Sequence, residues 1–166
     1  MANTFYLDAS ALAKRYIRET GTPEINAIFG TVPGNRLRVL NIEMGEIVSV
    51  MVRKRNAGTI SQSYLDQALL SFDAEIVRAR AVTRVPVTSQ LVTSSFPLIV
   101  AHSINSTDAL ILKSALAIAR RLRRAGDDLV LVASDQRLLR AAQAEGLTTF
   151  DPETQDQAAL ASVLGS

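Results

Sequence analysis

Short apolar runs alternate along this chain with longer segments whose apolar residues recur every three to four positions. Thr4-Phe5-Tyr6-Leu7 is such a run and stops at Asp8; Arg36 to Leu40, Arg84 to Val87, Leu129 to Ala133 and Leu147 to Phe150 are others. Each is too short for a stable helix and bounded by turn residues, so each is expected to be a buried strand. Ala9 to Arg18 has helical spacing and is closed by Gly21, and Pro23 to Phe29 is a second short helix with proline in its first turn. Asn41 is placed to cap a helix running to about Arg55, with Ile42, Ile47, Val50 and Met51 among its apolar positions. Ser61 opens another, where Leu65, Ala68, Leu69, Phe72 and Ile76 share one face. Asn105-Ser106-Thr107-Asp108 starts a long helix to about Ala125, and Gln136 to Ala144 forms a further one. Thr88 to Ser103 is ambiguous, because Pro97 interrupts a helical pattern.

Apolar strands alternating with helices imply a parallel sheet covered by helices on both faces. The 166 residues suffice for one domain with one core. Hydrophobic residues make up 48% and charged residues 20%, the balance of a globular rather than a disordered chain. No apolar run approaches the length of a membrane span, and the start lacks the pattern of a signal peptide, so a soluble protein of the cytoplasm is expected, with no membrane contact. There are no cysteines, which excludes disulfides, thiolate zinc sites, iron–sulfur clusters and thiol catalysis. His102 is the single histidine, which makes a serine–histidine–aspartate triad a poor expectation. The net charge of +2 permits nucleic-acid binding without arguing for it.

The acids carry more information. In open α/β sheets, ligands bind beyond the carboxyl ends of the strands. Asp8 follows the first strand and Asp135 the fourth, Asp108 sits in the first turn of a helix entering the sheet, and Glu46 lies one turn into another. If those strands are neighbours, the four converge into a site of hard oxygen ligands that suits Mg²⁺ or Mn²⁺ rather than Zn²⁺. Without a cation such a cluster repels itself and takes up protons. Each acid also has a plain reading, since helix starts attract acids as caps and dipole partners. Glu43 shares a helix face with Glu46, and Ser10, Thr107 and Ser134 neighbour the acids as hydrogen-bond donors or caps. Asp151 before Pro152 reads as a turn opening. Among the basic groups, Lys14-Arg15-Arg18, Arg53-Lys54-Arg55 and Arg120-Arg121-Arg123-Arg124, solvated helix faces are the default. Arg15 and Arg18 follow Asp8 most closely and are the expected phosphate contacts. An aspartyl-nucleophile phosphatase is disfavoured, because such enzymes commonly place an acid two residues beyond the nucleophile and this chain has Ser10 there.

At these residues the chain resembles the PIN-domain ribonucleases, specifically the VapC-type toxins of bacterial toxin–antitoxin pairs. Tyr6 to Tyr16 is similar to the first acidic motif of that family, Glu46 to Arg53 to its acidic helix, Thr107 to Leu110 to its third motif, and Val132 to Ala142, followed by Glu145-Gly146-Leu147, to its fourth. The register of the second motif selects Glu46 over Glu43. The likeness spans residues 4 to 152. It departs from the family at Lys113, where a small or apolar residue is usual, and at Asn105-Ser106, which replaces a more basic loop. The resemblance implies a PIN-like three-layer fold, with a mainly parallel sheet of four to five strands. Residues 1–152 would be the nuclease domain, and 153–166 a tail or short helix of the same unit. It also implies cleavage of RNA with Mg²⁺ or Mn²⁺ held by Asp8, Glu46, Asp108 and Asp135, a cognate antitoxin and a homodimer. The alternative is a PIN-like domain that binds RNA or protein without cutting.

Overall fold

A computed structural model describes residues 2–79 and 82–164. Its centre is a five-stranded sheet built from β1 (Asn3–Leu7), β2 (Leu37–Leu40), β3 (Thr83–Val85), β4 (Asp128–Val132) and β5 (Thr148–Phe150), in the order β3-β2-β1-β4-β5. Every pairing is parallel; Phe5 stands opposite Leu37 on one side and Val130 on the other. The chain builds outward from β1 in one direction, then returns to build in the other. The crevice beyond β1 and β4 is therefore the point where the strand order reverses, the place such sheets leave open for a ligand.

Side chains alternate across the sheet with period two and divide the core into halves. Phe5, Leu7, Leu37, Val39, Val130, Val132 and Phe150 face one layer, made by α1 (Ala9–Leu12), α2 (Thr22–Thr31), α3 (Glu43–Asn56), α4 (Gln62–Phe72) and α8 (Gln157–Leu164). Tyr6, Leu40, Leu129 and Leu131 face the other, made by α5 (Ser89–His102), α6 (Ser106–Arg123) and α7 (Gln136–Ala144). The three-layer α/β architecture of the PIN-like fold is thus present. The tail forms α8, whose Leu160 is fully buried in the first core half; residues 165 and 166 of that tail lie outside the described residues.

Several local expectations are corrected. The helix after Asp8 lasts only to Leu12 and tightens into a 3-10 turn at Ala13–Arg15, so the predicted stretch to Arg18 is split. Buried Lys14 explains the bend: its ammonium meets Glu19 at 3.0 Å and Glu153 at 2.6 Å, which draws the chain off the helical path. Asn41 does not cap α3; Ile42 holds the cap position and no side chain bonds the helix start. α5 runs straight through Pro97. The carbonyl that Pro97 leaves without a partner belongs to Thr93, and both residues are exposed, so water can satisfy it. Burial of Leu98 with Leu91 and Ile99 against the second core half outweighs the lost bond. Beyond α4 the chain continues as a π-helical segment, Asp73–Arg78.

Candidate active site

Four helices begin at the carboxyl edge of the sheet, and each carries an acid at or near its first turn. Asp8 ends β1 and caps α1: Ala11 N donates to Oδ1 at 2.9 Å, and Ser10 Oγ donates to Oδ1 at 2.8 Å and Oδ2 at 2.9 Å. Glu43 is the first residue of α3, and its Oε1 accepts from Ala9 N at 2.7 Å. Asp108 lies in the first turn of α6, its backbone N–H donating to Asn105 Oδ1 at 2.8 Å. Asp135 caps α7 through Arg137 N at 2.8 Å and Leu138 N at 3.1 Å. Ser10 Oγ also accepts from Ser134 N at 2.9 Å, which ties the end of β1 to the end of β4.

Asp8, Ala9, Ser10, Glu43, Asn105, Asp108 and Asp135, with Ser106, Thr107 and the α3 side chains Glu46 and Arg53, line one cleft of about 640 Å³. The expected convergence of Asp8, Glu46, Asp108 and Asp135 on one patch is therefore present. Their burial differs sharply. Asp8 is 5% exposed, Glu43 2% and Asp108 8%, whereas the Glu46 side chain is 52% exposed and pairs with Arg53 at 2.8 Å. Glu43, expected only in support, is thus the α3 acid set against Asp8, while Glu46 stands on the rim. The partners of the two differ accordingly: Glu43 is held inward by the first backbone N–H of α1, and Glu46 is held at the surface by Arg53.

Burial costs the charged form, and neighbouring negative charge adds to that cost. Burial is the main cause that raises the Asp8 carboxyl from 3.8 to about 7, helped by Asp108 and opposed by the Ala11 and Ser10 hydrogen bonds. Burial and then Asp8 push Glu43 well above the usual range. Asp108 rises to about 6 through burial and Asp135, with Arg137 opposing. One oxygen each of Glu43 (Oε2) and Asp108 (Oδ2) is buried without a hydrogen-bond partner, as is Ser134 Oγ. Among the described residues, no three acidic side chains stand close enough together to hold a metal ion directly. The donor set is nevertheless all oxygen, and it lines a cleft that has room for water. That suits a hard cation that keeps part of its hydration shell.

Arg15 and Arg18 do not reach this cleft. Arg15 is engaged elsewhere: it donates to Glu75 at 3.1 and 2.9 Å and to Asn26 at 2.7 Å, and lies over the Phe29 ring at 5.0 Å. Its turn is rotated away by the 3-10 segment, and Arg18 is exposed beyond it. Arg53 is the cleft's cation instead. Its spacing of seven from Glu46, two helical turns, was the sequence signal that could have found it.

No family model matches the sequence, and no curated protein matches it. Solved structures do match. FitAcB from Neisseria gonorrhoeae superposes with a TM-score of 0.58 at 12% identity, covering 92% of this chain and 100% of that one. FitAB bound to the IR36 DNA fragment gives 0.64 at 12%, covering 93% and 99%. VapC20 of Mycobacterium tuberculosis, a sarcin–ricin-loop-cleaving toxin, gives 0.59 at 16%, covering 92% and 100%. At such identities the likeness is one of fold. The architecture found here is the PIN-like fold, shared with these structures over nearly the whole of this chain.

Proposed function

We propose that this chain is a divalent-metal-dependent endoribonuclease and the toxin of a toxin–antitoxin pair. The observation that carries the reading is the cleft at the switch point, where Asp8, Glu43, Asp108 and Asp135 gather at four helix starts, Glu43 and Asp108 each with one buried oxygen left unpartnered. The fold shared with VapC20 and FitAB supports it. Asp8, Asp108 and Asp135 would hold Mg²⁺ or Mn²⁺, directly or through water, with Glu43 behind Asp8 and Glu46 at the rim. The ion would supply charge neutralisation at the scissile phosphate and a water of lowered pKa.

The chain's own groups do the rest. Ser10 and Ala11 fix both oxygens of Asp8, so the carboxylate faces the cleft in one orientation. Glu43 clamps the first backbone N–H of α1 and keeps α3 against it. Ser106, Thr107 and Asn105 line the cleft with polar groups that can hydrogen-bond a phosphodiester, and Arg53 offers a guanidinium at its edge. Exposed Arg53 is free to exchange Glu46 for an RNA phosphate, since a surface ion pair holds it weakly. A cognate antitoxin chain and a homodimer complete the reading.

A binding module without cleavage is the second reading, favoured by the absence, among the described residues, of three acids already close enough for direct ligation. One experiment separates the two: incubation of the purified protein with a mixed RNA pool, with Mg²⁺ or Mn²⁺ and with chelator, beside Asp108→Asn. Cation-dependent cutting that is lost in the variant is expected. RNA binding indifferent to the cation and unaccompanied by cutting would replace the nuclease reading with the binding one.

A further inference from the structure

Helix α6 starts in the acid cleft at Asp108, and its other end carries a feature the cleft does not use. Two hollows, of about 430 and 150 Å³, adjoin along its outer side and share Leu116, Arg120 and Glu145. Lys113 lines one and Arg124 the other. Lys113, Arg120 and Arg124 fall within about 40° of one another around the helix axis and form a single stripe. Successive members are separated by about 10 Å and about 6 Å of axial rise. Among the described residues none of the three has an ion-pair partner, whereas neighbouring Arg123 is taken by Asp128 at 2.8 Å. The acid in the groove, Glu145, is itself engaged by His102 at 2.8 Å. Leu98 and Leu116 make a narrow apolar floor.

We propose that this groove is a binding track for the sugar–phosphate backbone of single-stranded RNA, an exosite that holds substrate beyond the cleft. The proposal rests on the ribonuclease reading. Three cations in line match a ligand with one negative charge per repeat. Two of them are arginines, whose planar fork suits phosphate oxygens. The floor accommodates a ribose or base edge and lacks the aromatic anchor that a protein partner uses. Lys113 lies about 7 Å and Arg124 about 24 Å along the axis from Asp108. Asp108 lies about 140° from the stripe around the axis, so a strand leaving the cleft has to turn across the start of α6 to meet it. This places phosphate contacts on α6 rather than at Arg15 and Arg18, and gives a role to Lys113.

The test is fluorescence anisotropy with a labelled single-stranded RNA in chelator, where no cleavage is needed. The parent is compared with the triple variant Lys113→Ala, Arg120→Ala, Arg124→Ala over a salt series. A control variant removes three cations elsewhere: Arg55→Ala, Arg78→Ala, Arg84→Ala. The groove variant should bind at least about tenfold more weakly, and its slope of log affinity against log salt should fall by about 2, or about 0.7 per lost phosphate contact. The charge-keeping variant Lys113→Arg, Arg120→Lys, Arg124→Lys should retain most of the binding. Equal losses in the groove and control variants, or an unchanged salt slope, would overturn the exosite. So would displacement of the parent from RNA by a poly-glutamate peptide as readily as by unlabelled RNA. If the groove binds as expected but no cation gives cutting, the nuclease reading fails and the groove is an RNA-binding track without the role of an exosite.

Discussion

The acid cleft makes the stability of the metal-free protein depend on pH in an unusual direction. Asp8 and Asp108 have folded-state values of about 7 and about 6, against 3.8 for free aspartate. The folded state therefore keeps protons that the unfolded state has released above about pH 4. The stability this brings is complete below that point and is lost as pH rises through 6 and 7. For Asp8 alone the rise corresponds to at most about 4 kcal/mol. In a domain of this size that is on the order of 10 °C in melting temperature. Glu19, where burial is outweighed by the combined pull of Lys54 and Lys14, and Glu75, held low mainly by its Arg15 hydrogen bond, act the other way, but only in more acid solution than pH 5. The assay is thermal unfolding in chelator from pH 5 to 8, repeated with saturating Mg²⁺ or Mn²⁺. The melting temperature should fall across that range in chelator. The cation should restore it at pH 8 and do little at pH 5, where protons hold the ligand oxygens. A chelated melting temperature that is flat or rises from pH 5 to 8, or a cation effect equal at both ends, would refute the reasoning.

Other substitutions probe single groups. Glu43→Gln keeps the bond from Ala9 N but removes a carboxyl whose ionisation burial and Asp8 oppose, so it should raise the metal-free melting temperature in alkaline solution while weakening Mn²⁺ binding, read by calorimetry; Glu46→Gln, on the rim, should change both far less. Lys14→Met leaves half-exposed Glu153 without its cation while Glu19 keeps Lys54 at 2.6 Å, so it should cost only about 1 kcal/mol in urea unfolding. Gly21→Ala should cost more than about 1 kcal/mol by the same measurement, because φ is +89° and the added Cβ would come within 2.7 Å of the Pro152 carbonyl oxygen.

What the sequence could and could not disclose follows from the range of the interactions. The strands were legible because apolar runs bounded by Asp, Gly and Pro state their own ends, and β4 lies within a residue of its predicted span. The order of the strands, which decides whether Asp8 and Asp135 meet, was not legible: local patterning left open whether β1 and β4 are neighbours, and only their pairing in the sheet answers it. The path after Leu12 was hidden, since it depends on a lysine paired with an acid at position 153. Continuity through Pro97 was hidden for the same reason, being set by packing on the second core half. The two glutamates of α3 share a face, so periodicity could not rank them; only their partners, Ala9 N and Arg53, do. Arg15 looked like a phosphate ligand because its nearness to Asp8 in sequence concealed Glu75.

The four helix starts that carry the acids bear on how this site persists. At Asp8 and Asp135 an asparagine or serine would cap the helix as well as aspartate does. At Glu43 and Asp108 a neutral side chain would relieve a buried charge. Substitution at any of the four can thus disarm the cleft without harming the scaffold, and at the two buried charges it would firm it. Selection for folding alone would erode this constellation. Folding alone therefore gives no reason for all four acids to stand together in one chain.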